Sequence, residues 1–387
     1  MAKTDLKEKL RNLFSRFNFI LFIYVLVIIA ASVAEYLKGV KVFNRIEYTH
    51  YNNFVIFKQS FYNLIQGKNL YSAYPDLFWD YFKYSPAFAL LFAPLAVLPD
   101  LAGLIIWNVL NGLVLFFAVR SLPHLSDKQK MLILWFILIE LLTSVQNAQS
   151  NGLMAGLVLF TFTALEHKNE NAAALFLSLS VFIKLFSGAA VLLALLYPRK
   201  WKFAGYFVLW SVVFTLLPLA VLSPDQLLEL YKSWLQLLAA DHTISQGLSV
   251  LGWLNTWFGW MVSKYAVVIA GAVVLLLSFL RKNRYEDSQF RLLVLASILI
   301  WMVIFNHKAE SPTYIIAMTG IAIWYFMQPK QSGNFILLLL AFVFISLSPT
   351  DLFPAVIRRN LVTPYVLKAF PAILIWFRIQ GQIFLDR

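Results

Sequence analysis

Long apolar runs, separated by short basic or amide-rich connections, make up most of this chain. A membrane-crossing helix needs ~20 apolar residues, with ~17–25 tolerated. The candidate runs are residues 17–34, 85–98 (short), 101–119, 131–145, 152–165 and a long one over 171–197. Then follow 203–222, 265–280, 290–305, 313–327, 335–347 and 366–379. Span length predicts about twelve crossings, all helical, because only a helix or a closed barrel satisfies its backbone in lipid.

Between the first two runs, from Lys38 to Pro86, the pattern changes. Acids, amides, a histidine, lysines and many aromatics are mixed, too aromatic for a disordered linker and too long for a hairpin turn. Phe54, Phe57, Phe61, Leu64 and Ile65 recur at helical spacing, Lys58, Gln59, Asn63 and Gln66 fall elsewhere, and Gly67 is placed to stop the helix. The block from Phe78 to Tyr84 has the aromatic and basic mixture of a segment at headgroup level. Residues 38–84 therefore read as a large first extracytoplasmic loop carrying two interfacial helices. For its aromatics alone, simple anchoring of the bundle accounts for the pattern.

Composition supports this picture: 60% of residues are hydrophobic and 13% charged, about half the ~25% usual in soluble domains. A net charge of +13 would point to nucleic acid in a soluble protein. Here anionic lipid and the cytoplasmic bias of Lys and Arg explain it, and no nucleic-acid partner is expected. The absence of cysteine excludes disulfides, thiolate metal sites and cysteine nucleophiles. Residues 1–16 form a basic amphipathic lead-in, expected in the cytoplasm together with the C-terminus. No repeat or separate soluble domain is visible, so residues 1–387 read as one polytopic unit.

The clusters Arg199-Lys200-Trp201-Lys202, Arg281-Lys282-Asn283-Arg284 and Lys330 read as cytoplasmic. That places residues 223–264, 307–312 and 348–365 on the side of the first loop. Between 99 and 184 two topologies remain. Counting each run once puts the cluster from Gln146 to Asn151 inside; a re-entrant 85–98 and a break near Lys184 put it outside.

No Gly-rich phosphate loop, paired-histidine zinc motif or Gly-x-Ser-x-Gly elbow occurs, and the five histidines are scattered. These absences argue against an ATP-driven pump and a zinc hydrolase; no metal or cofactor is expected. The chemistry-bearing residues lie near the outer face. Glu47 has the best position for a general base, since a carboxylate beside an apolar bundle becomes a better proton acceptor; a solvated acid paired with Arg45 is the bland alternative. His50, Asn53, Asp76 and Asp80 accompany it in the loop. In the tight turn after 305, His307 and Lys308 are suited to a phosphate, with Glu310 orienting them, or else form a positively charged cap that ends a helix by snorkelling. Arg358, Arg359 and Lys368 are further phosphate candidates or interface anchors. Glu140 and Lys184 are ionisable groups in apolar runs, and such groups usually face a bundle interior or a wet cavity. Gln149 and Asn151 belong to an amide cluster that can read sugar hydroxyls or simply make a polar turn. The stretch from Asp241 to Ser249 reads as a loop resting on lipid.

Several short motifs in order resemble glycosyltransferase family 87, membrane enzymes of the GT-C superfamily. They are Asn53-Phe54-Val55-Ile56-Phe57, Gly67-Lys68-Asn69-Leu70-Tyr71, Phe82-Lys83-Tyr84-Ser85-Pro86, Trp107-Asn108 with Asn111, Gln149-Ser150-Asn151, and Ile183-Lys184 followed by Arg199-Lys200-Trp201. The resemblance implies an all-α integral membrane fold, a GT-C-like helix bundle. It also implies an inverting transfer of a hexose, mannose favoured, from a polyprenyl-phosphate sugar donor to a glycolipid or glycan acceptor. The base in such enzymes is an aspartate early in the first loop, and the corresponding position here is Asn53. An amide takes up no proton at neutral pH, which leaves Glu47, or Asp80, for the role. The alternatives are a transporter or flippase of lipid-linked sugars, with Glu140 and Lys184 lining a pathway, and a surface-glycan ligase or polymerase.

Overall fold

The computed structural model describes residues 16–43, 45–240 and 247–385. The lead-in before Arg16 and the residues from Asp241 to Gln246 lie outside the described residues. Among the described residues the fold is a helical bundle with one small hairpin. Helix α1 (Phe17–Leu37) leads into strands β1 (Val40–Phe43) and β2 (Ile46–Thr49), and α2 (Asn52–Ile65) follows. Short helices α3 (Pro86–Leu91) and α4 (Ala93–Ala96) precede α5 (Asp100–Ser121), α6 (Asp127–Gln146), α7 (Asn151–Glu166) and α8 (Glu170–Ile183). A 3₁₀ helix, Leu185–Leu196, leads to α9 (Lys200–Leu216), α10 (Pro224–Ala240) and α11 (Val250–Phe258). The longer helices of the remainder are α12 (Lys264–Leu277), α13 (Ser288–Ile304), α14 (Tyr314–Phe326), α15 (Ser332–Ala341) and α16 (Phe370–Leu385), with the short helix Ser311–Thr313 just before α14.

Among the described residues, four helices are long and apolar enough to cross a membrane: α1, α5, α6 and α9 with its 3₁₀ extension to Ala220. Further apolar helices, including α7, α8, the 3₁₀ helix, α13 and α16, are shorter. Two of the expected crossings take another form. Residues 85–98 fold into the short helices α3 and α4, which pack against α2. The run 171–197 divides at Lys184, whose extended backbone (φ −141°, ψ 116°) separates α8 from the 3₁₀ helix. The break follows from the ammonium, which needs polar partners that a continuous apolar helix cannot supply.

Ion pairs fix which connections share an end of the bundle. Glu166 holds Arg291 (2.5 Å) and His124 (2.6 Å), and Tyr197 donates to it at 2.5 Å. Glu170 lies 3.7 Å from both Arg199 and Lys202. The ends of α5, α7, the 3₁₀ helix and the start of α13 therefore meet at one basic end. The turn after α6, Lys184 and the turn after α13 meet at the other. Close helix packing brings them there: a Cβ on Gly156 of α7 would lie 2.9 Å from the Val114 carbonyl of α5, so only glycine permits this approach.

The first loop departs from expectation in part. Helix α2 forms, stopped before Gly67 (φ +65°), and buries Phe54, Phe57 and Leu64; Ile65, however, is 46% exposed while Asn63 is buried. The second interfacial helix does not form. Phe78 and Phe82 are buried in irregular chain, so aromatic content there reflects packing rather than a headgroup-level helix. Lys58 ties α2 to the start of α5, donating to Asp100 at 2.6 Å and to the Leu98 carbonyl at 2.9 Å. Trp234 of the amphipathic α10 donates to the Lys83 carbonyl at 3.1 Å, docking that helix on the loop.

Candidate active site

Four side chains singled out in the sequence converge at the end opposite the basic connections. The Lys184 ammonium lies 2.8 Å from Asn151 Oδ1 and 3.4 Å from Gln149 Oε1. Asn151 Nδ2 donates to Gln149 Oε1 at 2.7 Å and to the Pro312 carbonyl at 2.9 Å. The Gln149 amide, its oxygen so engaged, donates through Nε2 to Glu310 Oε2 at 2.8 Å. The result is a chain of hydrogen bonds from cation to carboxylate across two amides. Tyr84 and Phe186 flank the ammonium, with ring centroids 5.7 and 5.9 Å away. Burial pushes the Tyr84 hydroxyl well above the usual tyrosine range, so this phenol stays protonated.

Each member is positioned by local structure. The turn joining α6 to α7 is pinned from two sides: Trp107 Nε1 donates to the Ala148 carbonyl at 2.9 Å, and Asn53 Nδ2 to the Asn147 carbonyl at 2.8 Å. Ala148 itself takes a left-handed conformation (φ +48°), uncommon for a residue with a Cβ. Asn111 Oδ1 accepts from Leu153 N at 3.0 Å and so holds the first turn of α7. Ser85 caps α3, accepting from Phe88 N at 3.3 Å, and donates to the Phe182 carbonyl at 2.6 Å, next to the Lys184 break.

The turn carrying His307, Lys308 and Glu310 is shaped by Asn306, whose side-chain oxygen accepts from Lys308 N (3.0 Å) while its carbonyl accepts from Ala309 N (2.9 Å). The Gly247–Leu248 segment lies against it. Leu248 N donates to the Ala309 carbonyl at 2.8 Å, and a Cβ on Gly247 (φ +57°) would stand 2.5 Å from the His307 carbonyl. Beneath the turn, Lys368 Nζ donates to Ser311 Oγ (2.7 Å) and Glu140 Oε1 (2.9 Å), over the Tyr314 ring. Lys368 and Glu140 are 4% and 0% exposed. Lys368 is thus a buried support, not the phosphate contact or interface anchor expected of it. Glu140, which the flippase alternative sets along a pathway with Lys184, is buried against Lys368, while Lys184 is held by Asn151 and Gln149.

The other expected site residues lie apart from this cluster. Glu47 is exposed on β2, opposite Val42, and among the described residues no hydrogen bond or ion pair links it to the cluster. His50 sits in the turn after β2, its backbone N–H donating to the Gly39 carbonyl at 3.4 Å. Asp80 pairs with Lys83 (3.1 Å) beside an aromatic hollow lined by Phe43, Tyr48 and Trp79. Arg358 donates to the Thr350 carbonyl at 3.0 Å within its own loop. Tyr84, Trp107 and the Lys368–Ser311 contact were not foreseen as parts of the site. Their signal was present only as the motif residues Tyr84 and Trp107, without an indication of what they touch.

Residues 82–305, more than half of the chain, match glycosyltransferase family 87. The chain belongs to that family. As a family 87 member it is a glycosyltransferase, and its apolar helices make it a membrane protein. The matched region contains Tyr84, Gln149, Asn151 and Lys184; Glu47 and Asn53 precede it, and His307, Lys308 and Glu310 follow it. Among solved structures, ArnT from Cupriavidus metallidurans bound to undecaprenyl phosphate is similar at 11% identity and a TM-score of 0.39, over 94% of this chain and 77% of that one. No curated protein matches the family 87 chain.

Proposed function

We propose that this glycosyltransferase moves a hexose, mannose favoured, from a polyprenyl-phosphate donor to a glycolipid or glycan acceptor on the extracytoplasmic side, with inversion. The observation that carries the reading is the hydrogen-bonded line Lys184–Asn151–Gln149–Glu310 at the end of the bundle away from its basic connections. Short connections rich in Lys and Arg favour the cytoplasm, which supports an extracytoplasmic opposite end. Lys184 and Lys308 supply positive charge for a lipid phosphate, and His307 in the same turn offers it a hydrogen bond. Gln149 and Asn151 offer donors and acceptors to sugar hydroxyls. A lipid-borne activated sugar needs no nucleotide fold, in keeping with the missing phosphate loop.

The test is transfer in proteoliposomes from radiolabelled polyprenyl-phosphate mannose, comparing wild type with Lys184→Met. Wild type is expected to form a new glycosidic bond, and the variant to lose at least about tenfold in kcat/KM, the scale of one charge-assisted hydrogen bond. Failure of wild type with every polyprenyl-phosphate hexose would remove the donor class. Donor translocation without bond formation would favour the flippase instead.

A further inference from the structure

Asn53 leaves the transferase without an acid at the position where the family resemblance expects its base, and the structure offers a replacement. We infer that Glu310 is the general base of the transfer; the inference rests on the lipid-phosphate reading above. Four other acids near this end of the bundle are held in ion pairs. Glu35 pairs with Lys38 (2.5 Å), Asp80 with Lys83 (3.1 Å), Asp100 with Lys58 (2.6 Å), and Glu140 with Lys368 (2.9 Å). Glu47 is exposed on the hairpin, and Asn53 spends its amide on the Asn147 carbonyl. Glu310 alone among these carboxylates touches the amide pair that Lys184 holds.

Its environment suits a base. Gln149 Nε2, 2.8 Å away, fixes one carboxylate oxygen, and the turn Ser311–Thr313 that follows adds a capping contact. The residue remains exposed, so an acceptor hydroxyl can approach it. Two amides link Glu310 to Lys184 by hydrogen bonds, and His307 and Lys308 stand in the same turn as Glu310. In the reaction the acceptor O–H gives its proton to the Glu310 carboxylate. The acceptor oxygen attacks the anomeric carbon from the face opposite the phosphate. The bond from that carbon to the phosphate oxygen breaks, and its electron pair leaves on the lipid phosphate, whose charge Lys184 and Lys308 hold. Attack from the opposite face inverts the centre.

The competing account makes Glu310 only the cap of the short helix Ser311–Thr313. Glu310→Gln separates the two, because it keeps size and hydrogen bonding but takes up no proton. In the proteoliposome assay it is expected to lower kcat by ~10²–10⁴-fold, the usual contribution of a general base, with donor KM little changed. Glu310→Ala is expected to regain transfer on addition of formate, a carboxylate small enough for the vacated space. Equal kcat for Glu310→Gln and wild type overturns the assignment, as does loss in Glu310→Ala that formate leaves untouched. Transfer lost in Glu47→Gln but kept in Glu310→Gln overturns it in favour of the hairpin acid. If wild type itself transfers from no polyprenyl-phosphate hexose, the donor reading fails and this assignment falls with it; an active wild type with an active Gln variant sinks the base alone.

Discussion

Replacing Lys368 with methionine tests whether the buried ion pair under the site is a structural tie. The ammonium joins α6 to the turn at Ser311 through Glu140 Oε1 (2.9 Å) and Ser311 Oγ (2.7 Å), and the second Glu140 oxygen has no hydrogen-bond partner. Lys368→Met therefore leaves a fully buried carboxylate without its counter-charge. Removing one partner of a buried pair costs about 3–5 kcal/mol, and the lost contact to Ser311 adds about 0.5–1.5 kcal/mol. Glu140→Leu alone strands the ammonium and belongs in the same range. Combining the two removes both charges, and exchanging a buried pair for apolar side chains is often neutral or stabilising by about 1–4 kcal/mol. The double variant should therefore be well above either single variant in unfolding free energy, measured by SDS titration in mixed micelles with tryptophan fluorescence as the readout. Transfer should fall in the single variants as well, since Ser311 and Pro312 directly follow Glu310. Lys368→Met within about 1 kcal/mol of wild type, or a double variant no better than the singles, refutes the reasoning.

Two further substitutions probe the walls of the site. Trp107→Phe keeps an aromatic ring against Phe57 and Phe92 but leaves the carbonyl of buried Ala148 without its donor. A loss of about 1–3 kcal/mol is expected, seen as a lower melting temperature with reduced transfer; an unchanged melting temperature would speak against the clamp. Gly247→Ala forces a Cβ to within 2.5 Å of the His307 carbonyl and strains a left-handed backbone by about 1–2 kcal/mol. Its main effect should be a several-fold rise in donor KM as the His307 turn is displaced, and an unaltered KM would count against that turn as a phosphate site.

The membrane-compatible bundle was legible because hydrocarbon imposes length and apolarity on each segment. What an apolar run does once inside the bundle is less constrained. Residues 85–98 and 171–197 differ little in hydrophobicity, yet one folds as two short helices and the other breaks, and the deciding features are Ser85 capping α3 and the needs of the Lys184 ammonium. Gln149, Asn151, Lys184 and Glu310 could each be singled out by chemical type. Their meeting could not, since Gln149 and Glu310 are 161 positions apart. Lys368 shows the opposite error. A basic residue at the edge of an apolar run resembles an interface anchor until its partner is known, and Glu140 lies 228 positions away. The hairpin at residues 40–49 was missed because its two four-residue strands were overshadowed by the aromatics around them.

Helix length also sets the depth of the site. Helix α8 has 14 residues and α14 has 13, which at ~1.5 Å per residue give about 20 Å, and the 3₁₀ helix Leu185–Leu196, with 12 at ~2.0 Å, gives about 24 Å. The hydrocarbon layer is ~30 Å thick. With their charged ends seated at one boundary, these helices stop some 6–10 Å short of the other, a gap worked from those lengths. In the membrane orientation proposed above, the polar floor would sit below the bilayer surface while α5, with 22 residues, would rise past it as a wall. A sugar tethered to lipid arrives at such a depth sideways; one dissolved in water has to descend over the rim.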